Sequence, residues 1–320
     1  MSASIIALAL AFAAPDPGVA ALQAADARVA AIAWRLQTAN APLCSDVAPL
    51  AGFSVQTLAQ YQPSVRATVV AQTGLGRQPA VQAVVSGGAG DLAGLRVGDV
   101  LIAIDGTATP ADLPTRASYD VTAKTQAMIE AALKTPPLTL RLMRGKSVRT
   151  VGMTGVSGCV SRVEIVTGRI INAEADGHYV QVSGSLVDFT TNDDELATVI
   201  GHELSHNILH HRLRLDTDKV SRGIFAGFGK GGARLRKTEY EADRLGVWLV
   251  ARAGYDVDAI VPFWSRLGRR TGLGILSDGT HPSWGDRIAR VAAAVAEVKA
   301  QRAKGVALIP TELPIALPPA

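Results

Sequence analysis

Between Val19 and Asn40 the chain is Ala-rich, and Leu22, Val29, Ile32, Ala33 and Leu36 recur at roughly helical spacing, which predicts one packed amphipathic helix. From about Arg66 to Gly155 the pattern changes to short β-branched runs, VQAVV, DVLIAIDG, LTLRLMRG and VRTVGMTG, separated by Gly-rich turns. One helical stretch, Tyr119 to Leu133, interrupts them, so this part reads as a small β-rich module with a single helix. After Cys159, VEIVTGRIINA and YVQVSGSLVDF are strand-like, and helical periodicity then runs to about Ala303. The last segment, VALIPTELPIALPPA, is Pro-rich and expected to be extended. The fold class this predicts is α+β.

Composition narrows the classes. With 320 residues, 48% apolar, 19% charged and a net charge of +4, the chain has room for about two packed domains and is neither disordered nor collagen-like. Beyond the N-terminus no run approaches the roughly 18 to 20 apolar residues of a membrane helix, so no transmembrane span is expected. The basic excess, 32 Lys+Arg against 28 Asp+Glu, is too slight to point to nucleic acid. Residues Ile5 to Ala14, IIALALAFAA, have the length of a signal-peptide core, with Ala11, Phe12 and Ala13 as a small-x-small site, although no Lys or Arg precedes them. Cys44 and Cys159 are the two cysteines; an oxidising compartment would join them across 115 residues, and the alternative is a pair of buried free thiols.

The run Ala93-Gly94-Leu95-Arg96-Val97-Gly98-Asp99-Val100-Leu101, followed by Ile104-Asp105-Gly106, resembles a PDZ domain, over about ninety residues. The resemblance implies a peptide groove between an exposed strand edge and the helix near Tyr119 to Leu133. An unpaired edge can take an extended peptide as an added strand. Gly74-Leu75-Gly76-Arg77 is either the loop whose amides hold a peptide carboxylate or a plain glycine turn.

The sharpest chemical signal is His202-Glu203-Leu204-Ser205-His206. Asn192, followed by Asp193, Asp194 and Glu195, is a credible helix start. Residues four apart share a helix face, so His202 and His206 can offer two imidazoles to one metal while Glu203 sits beside them, toward a bound water. Downstream, Glu239 and Asp243 in EYEAD are again four apart, in the ExxxD pattern of gluzincins. A carboxylate from this second helix completes a His2Glu set and leaves the fourth zinc position open. Asp243, one turn on, is placed to bond the distal nitrogen of a ligand imidazole, His202, and to fix its tautomer, while Glu241 faces elsewhere by helical phase. The alternative is that Glu239 and Asp243 are solvated acids pairing with Arg236 or Arg244. His210 and His211 extend the first helix as surface residues or as outer partners of the site, and the four tryptophans read as core anchors.

HELSH, EYEAD, GYDVDAIVPFW and HPSWGDRI, in that order, resemble zinc metallopeptidase family forty-eight, which includes the CAAX prenyl proteases, over roughly residues 160–300. The resemblance implies one Zn2+ per chain on His202, His206 and Glu239, with Glu203 as general base. His281 is a candidate to bond the developing oxyanion or cap the open zinc position; a fold contact in its turn is the alternative, and Tyr240 or Tyr255 are other oxyanion candidates. YVQVS, Tyr179 to Ser183, looks like the strand whose edge aligns extended substrate in zincins. The layout expected is a signal peptide over 1–14, a peptidase helix over 15–60, the PDZ-like insertion over 61–156, a mostly helical zincin-type domain with a small sheet over 157–305 and a Pro-rich tail over 306–320. A Cys44–Cys159 bridge would staple the two ends of the insertion. Only 33 positions separate His206 from Glu239, and Gly223, Gly227, Gly229, Gly231 and Gly232 suggest a flap there. The function expected is a periplasmic or secreted zinc endopeptidase acting on polypeptides, unfolded or envelope proteins among them, with a peptide ligand at the PDZ-like groove. Its rivals are a PDZ-based peptide-binding or chaperone-like protein and a zinc amidase.

Overall fold

The computed structural model describes residues 17–220, 229–271 and 283–311. Helix α1 (Pro17–Ala39) opens the chain, and Val29, Ile32 and Leu36, spaced three and four apart, are buried. Strand β1 (Val47–Leu50) follows, then β2 (Phe53–Gln56), α2 (Arg66–Thr73), β3 (Ala80–Val84), α3 (Ala89–Leu92), β4 (Val100–Ile104), β5 (Thr107–Ala108), α4 (Asp120–Leu133), β6 (Leu138–Arg144), β7 (Ser147–Met153) and β8 (Val156–Cys159). Strands β2-β3-β4-β6-β7, with β5 beside β4, form one six-stranded sheet. Along β6, Leu138, Leu140 and Leu142 are fully buried while Thr139 and Arg141 are exposed, the period-two pattern of a sheet with one covered face. Those leucines meet Val81, Leu101, Ile129 and Leu133 in a core of their own.

The glycine-rich motif in this sheet has a physical basis. Asp99 is 1% exposed and is gripped by Arg144, whose Nε and Nη2 donate to its two oxygens at 2.7 Å each, while the Arg96 amide donates to it at 2.8 Å. Asp105 and Gly106, at φ 46° and 78°, make the β4–β5 turn, and the Asp105 carboxylate accepts the Thr139 amide at 2.7 Å. The module differs from its expected limits at the N-terminal side. Residues 66–73 are helical, and β2 joins the sheet although it precedes position 61. A four-residue strand carries little periodicity of its own. What makes it one is Gly52, at φ 68°, where a Cβ would lie 2.9 Å from the Ala89 nitrogen, so the chain turns into β2 against α3 only with glycine there.

Strands β1 and β8 pair antiparallel, Val47 opposite Cys159 through Leu50 opposite Val156, where the chain leaves for the sheet module and returns from it. Cys44 and Cys159 are disulfide-bonded, with Cα atoms 5.5 Å apart. Beyond lie β9 (Arg162–Val166), β10 (Ala173–Ala175), β11 (Tyr179–Ser183), α5 (Gly184–Phe189), α6 (Asp193–Ile208), α7 (His211–Thr217), α8 (Gly229–Arg252), α9 (Ile260–Thr271) and α10 (Trp284–Ala303). The small sheet runs β10-β11-β9, with β11 antiparallel to β10 and parallel to β9. YVQVS is therefore the central strand, not the edge. The edges are β9 and β10, and β10, whose three residues were too few to register as a strand in the sequence, is the one at the metal cavity.

Helices α6 and α8 cross at two glycines. A Cβ on Gly246 would meet the His202 nitrogen at 3.2 Å, and one on Gly201 would meet Val250 at the same distance. Leu196, Ile200 and Leu204 of α6, Leu245, Trp248 and Leu249 of α8, Phe263 of α9 and Val291 and Val298 of α10 form the second core, which α1 completes. The fold is thus α+β. Among the described residues, no helix is long and apolar enough to cross a membrane.

Candidate metal centre

Helix α6 begins at Asn192, whose side chain accepts the Glu195 amide at 3.0 Å, with acids at the first three helical positions. Three turns on it presents His202 and His206 on one face, their Nε2 atoms 3.2 Å apart. Helix α8 brings Glu239 to the same point: its two oxygens lie 3.5 Å from His202 Nε2 and 3.5 Å from His206 Nε2. One ligand atom from each of the three residues falls within 4.8 Å of the others. Two imidazole nitrogens and one carboxylate, on two helices locked at a glycine crossing, are a donor set that fits zinc with an open fourth position.

Around this point lies a cavity of about 340 Å3, walled by His202, Glu203, His206, Glu239, Trp264 and Arg287 and by the whole of β10. On either side of β10, the Asn172 carbonyl accepts the Ser183 amide at 2.9 Å and the Asp176 amide donates to the Tyr179 carbonyl at 3.2 Å. By the two-residue alternation of a ladder, Ala173 and Ala175 turn their N–H and C=O away from β11, which leaves a peptide edge on the cavity side.

Asp243 lies one turn beyond Glu239, with Oδ1 2.9 Å from His202 Nδ1. The same oxygen accepts Arg287 Nε at 3.0 Å and Nη2 at 2.7 Å, and the guanidinium stacks 3.8 Å from the Trp264 ring. Arg287 is 4% exposed, so a buried Asp–Arg pair braces the first histidine. Burial, and Arg287 after it, work against a charge on His202; Asp243 and Glu239 outweigh them and hold its pKa up at about 9. Burial keeps His206 well below the ordinary value, so the two imidazoles of the metal face titrate far apart.

His206 has its own partners: of the two alternatives for the histidine pair, His211 takes the outer place in the site and His210 the surface. Helix α6 ends at Ile208, His210 adopts a left-handed φ of 51° and α7 starts at His211. The break sends His210 outward, 2.9 Å from the Ser45 hydroxyl, and drops His211 inward to 1% exposure. His211 Nδ1 lies 2.9 Å from His206 Nδ1, and its Nε2 lies 2.9 Å from Glu241 Oε2. Glu241, expected to face elsewhere, is thus drawn into the site, with Arg214 Nη1 donating to it at 2.7 Å. Burial alone would raise the Glu241 carboxyl, yet the bonds from His211 and Arg214 hold it down at about 2.

Other expectations resolve as follows. Tyr240 stacks beneath Arg290 at 3.8 Å and Tyr255 beneath Arg35 at 4.4 Å, and neither lines the cavity. His281 lies outside the described residues, as do Gly223 and Gly227 of the expected flap, while Gly229, Gly231 and Gly232 open α8. Gly74 caps α2 and Leu75 is 2% exposed, so residues 74–77 end a helix; the loop entering the edge strand β2 beside α4 is Leu50–Phe53. There β2, α4 and α1 enclose a second cavity of about 170 Å3, with Trp34 among its walls. Sequence reasoning missed the roles of Arg287, Trp264 and Glu241, and left His211 open between the surface and the outer part of the site. The doubled histidine three residues beyond HELSH was the one local signal for His211.

Residues 160–234 and 232–295 match the model of peptidase family M48, and residues 81–119 match that of a PDZ domain. The chain is also similar to the mitochondrial metalloendopeptidase OMA1 of Schizosaccharomyces pombe, at 24% identity over 176 residues, which cover 48% of this chain and 52% of that protein. The chain spans about half the length of this curated relative.

Proposed function

We infer from the match of residues 160–295 to the model of peptidase family M48, and of residues 81–119 to that of a PDZ domain, that the chain is a zinc-dependent endopeptidase. The observation that carries this reading is the convergence of His202, His206 and Glu239 at one point of the cavity that Glu203 also lines. These residues would hold the ion. Zinc bound in such a set would lower the pKa of a coordinated water to about 7 and polarise a carbonyl. Glu203 would accept the proton of the attacking water and deliver it to the leaving amine. Asp243, through His202, and the Arg287–Asp243 pair fix the orientation of the first imidazole. An extended polypeptide lies along the outward edge of β10, whose free N–H and C=O groups select for backbone, so peptides are favoured over other amides.

The PDZ-like groove between β2 and α4 presents or selects substrate polypeptides, unfolded or envelope proteins among them. The Cys44–Cys159 bond supports a secreted or periplasmic setting. A peptide-binding protein without activity is the second reading, and it leaves unexplained why Glu203 stands in the metal cavity. The test compares zinc content and casein cleavage of the wild type and Glu203→Gln. About one zinc in each, with cleavage by the wild type only, supports the peptidase; zinc in both with cleavage by neither favours the binding protein.

A further inference from the structure

We propose that His211 is a positioning residue for the metal centre, setting the tautomer of His206 under the direction of Glu241; the proposal rests on the zinc reading above. The argument is a count of protons along a chain of nitrogen and oxygen atoms. His206 and His211 meet Nδ1 to Nδ1 at 2.9 Å, so only one of these two nitrogens can carry a hydrogen. His206 points its Nε2 at His202 and Glu239, and a nitrogen that is to ligate a metal must be bare. Neutral His206 must then carry its hydrogen on Nδ1 and donate it to His211 Nδ1. His211, accepting there, must carry its own hydrogen on Nε2, and the group opposite that atom is Glu241 Oε2 at 2.9 Å.

Glu241 is an acceptor held in place by Arg214, which donates to the same Oε2 at 2.7 Å and to Oε1 at 3.4 Å, and by Lys237, 3.8 Å from Oε1. With both imidazoles neutral, every member of the row is satisfied in one arrangement only, and that arrangement leaves His206 Nε2 free to bind metal. The reverse one, with hydrogen on His211 Nδ1, leaves His211 Nε2 bare against a carboxylate, two acceptors facing each other in a buried site. Glu241 therefore selects the metal-binding form of His206 through an intervening imidazole. His202 is set directly by Asp243, so the two histidines are oriented by carboxylates from the same helix, α8, at one remove and at two.

The experiment measures zinc affinity by competition with a chromogenic chelator on the full chain, together with the thermal midpoint of the metal-free protein, for the wild type, His211→Leu, His211→Gln and Glu241→Gln. Leucine cannot accept from His206 Nδ1, whereas the glutamine oxygen can, so His211→Leu should bind zinc about 10- to 100-fold more weakly while His211→Gln stays near the wild type. Glu241→Gln, nearly isosteric, can offer N–H to His211 Nε2 and admit the wrong tautomer, so it too should bind about 10-fold more weakly without loss of the metal-free midpoint. Wild-type affinity in His211→Leu, or equal weakening in His211→Leu and His211→Gln, would overturn the proposal and leave the zinc reading standing. Should His211→Leu fail to fold, undiminished affinity in Glu241→Gln overturns it. Absence of zinc binding by the wild type would overturn both.

Discussion

Removing the Cys44–Cys159 bond tests how the two units are held to one another. The bond closes a loop of 115 residues that contains the whole six-stranded sheet and α4. In the chain-entropy account a loop of that length restricts the unfolded chain by about 16 cal/mol/K, or about 5 kcal/mol at 25 °C. The folded state loses little when the bond opens, because Val47 to Leu50 still pair with Val156 to Cys159 and Gln37 Nε2 still donates to the Cys159 carbonyl at 2.9 Å. The loss should thus appear in the unfolding equilibrium and not in the site. Urea unfolding followed by tryptophan fluorescence is the assay, on oxidised protein, on reduced protein and on Cys44→Ala/Cys159→Ala. With a slope of about 3 kcal/mol/M for a chain of this size, the midpoint should fall by roughly 1.5 M in the reduced wild type. The double variant should fall slightly further, since both positions are buried and each truncation leaves a small cavity. Zinc affinity should not change. A reduced protein whose midpoint stays within about 0.3 M of the oxidised one would show that the loop is already confined in the unfolded ensemble, and the entropic argument would be wrong for this chain.

Four further outcomes follow from the same geometry. Ala173→Pro removes an outward N–H from the β10 edge and should lower kcat/KM for peptides roughly fivefold, the worth of one hydrogen bond, with zinc content unaltered; unchanged peptide kinetics would remove β10 from the substrate path. Gly246→Ala puts a Cβ 3.2 Å from the His202 nitrogen, so it should cost about 1 to 3 kcal/mol of stability by thermal unfolding and weaken zinc binding by moving Glu239 off the histidines. Stripping zinc with a chelator should lower stability by about 2.7 kcal/mol relative to protein at a hundredfold excess over Kd, and a melting curve indifferent to chelator would contradict the site. Asp26 supplies a pH test: burial, and then the nearby Glu164, raise its pKa to about 7 from an ordinary 3.8, while Gln82 donates to it. The unfolded chain loses this proton first as pH rises, so stability declines between about pH 4 and 7 and stays lower above. Asp26→Asn, which keeps an acceptor for Gln82, should match the wild type at pH 4 and exceed it at pH 8 in urea midpoint.

The parts of the fold legible in the sequence are those where one residue's neighbours in the chain decide its fate. Leu138, Leu140 and Leu142 alternate because a strand must bury one face, and Asn192 starts α6 because its side chain reaches three residues on. Strand β10 and strand β2 were illegible for the complementary reason. They are three and four residues long, and each exists because something elsewhere holds it: for β10 its pairing with β11, for β2 its pairing with β3 and the close contact at Gly52. Mistaking YVQVS for the edge followed from this: a strand's place in a sheet is a property of its neighbours, and its lesser neighbour had no pattern to read.

The site divides along the same line. His202 with His206, and Glu239 with Asp243, are pairs four apart on single helices, so helical geometry alone brings each pair to one face. Their convergence needs the α6–α8 crossing, and that crossing needs two glycines whose spacing means nothing until the helices meet. Glu241 shows where phase arguments end. From α8 alone it points away from the metal face set by Glu239 and Asp243, and it does point away; the chain answers by breaking α6 at a left-handed His210, which swings His211 back between Glu241 and His206. Nothing in a helical wheel of HELSHNILHH anticipates that break, because an unbroken helix would have satisfied every local preference. It is favoured by what it completes, a buried row of polar atoms each with a partner, whose energy is counted across α6, α7 and α8 together.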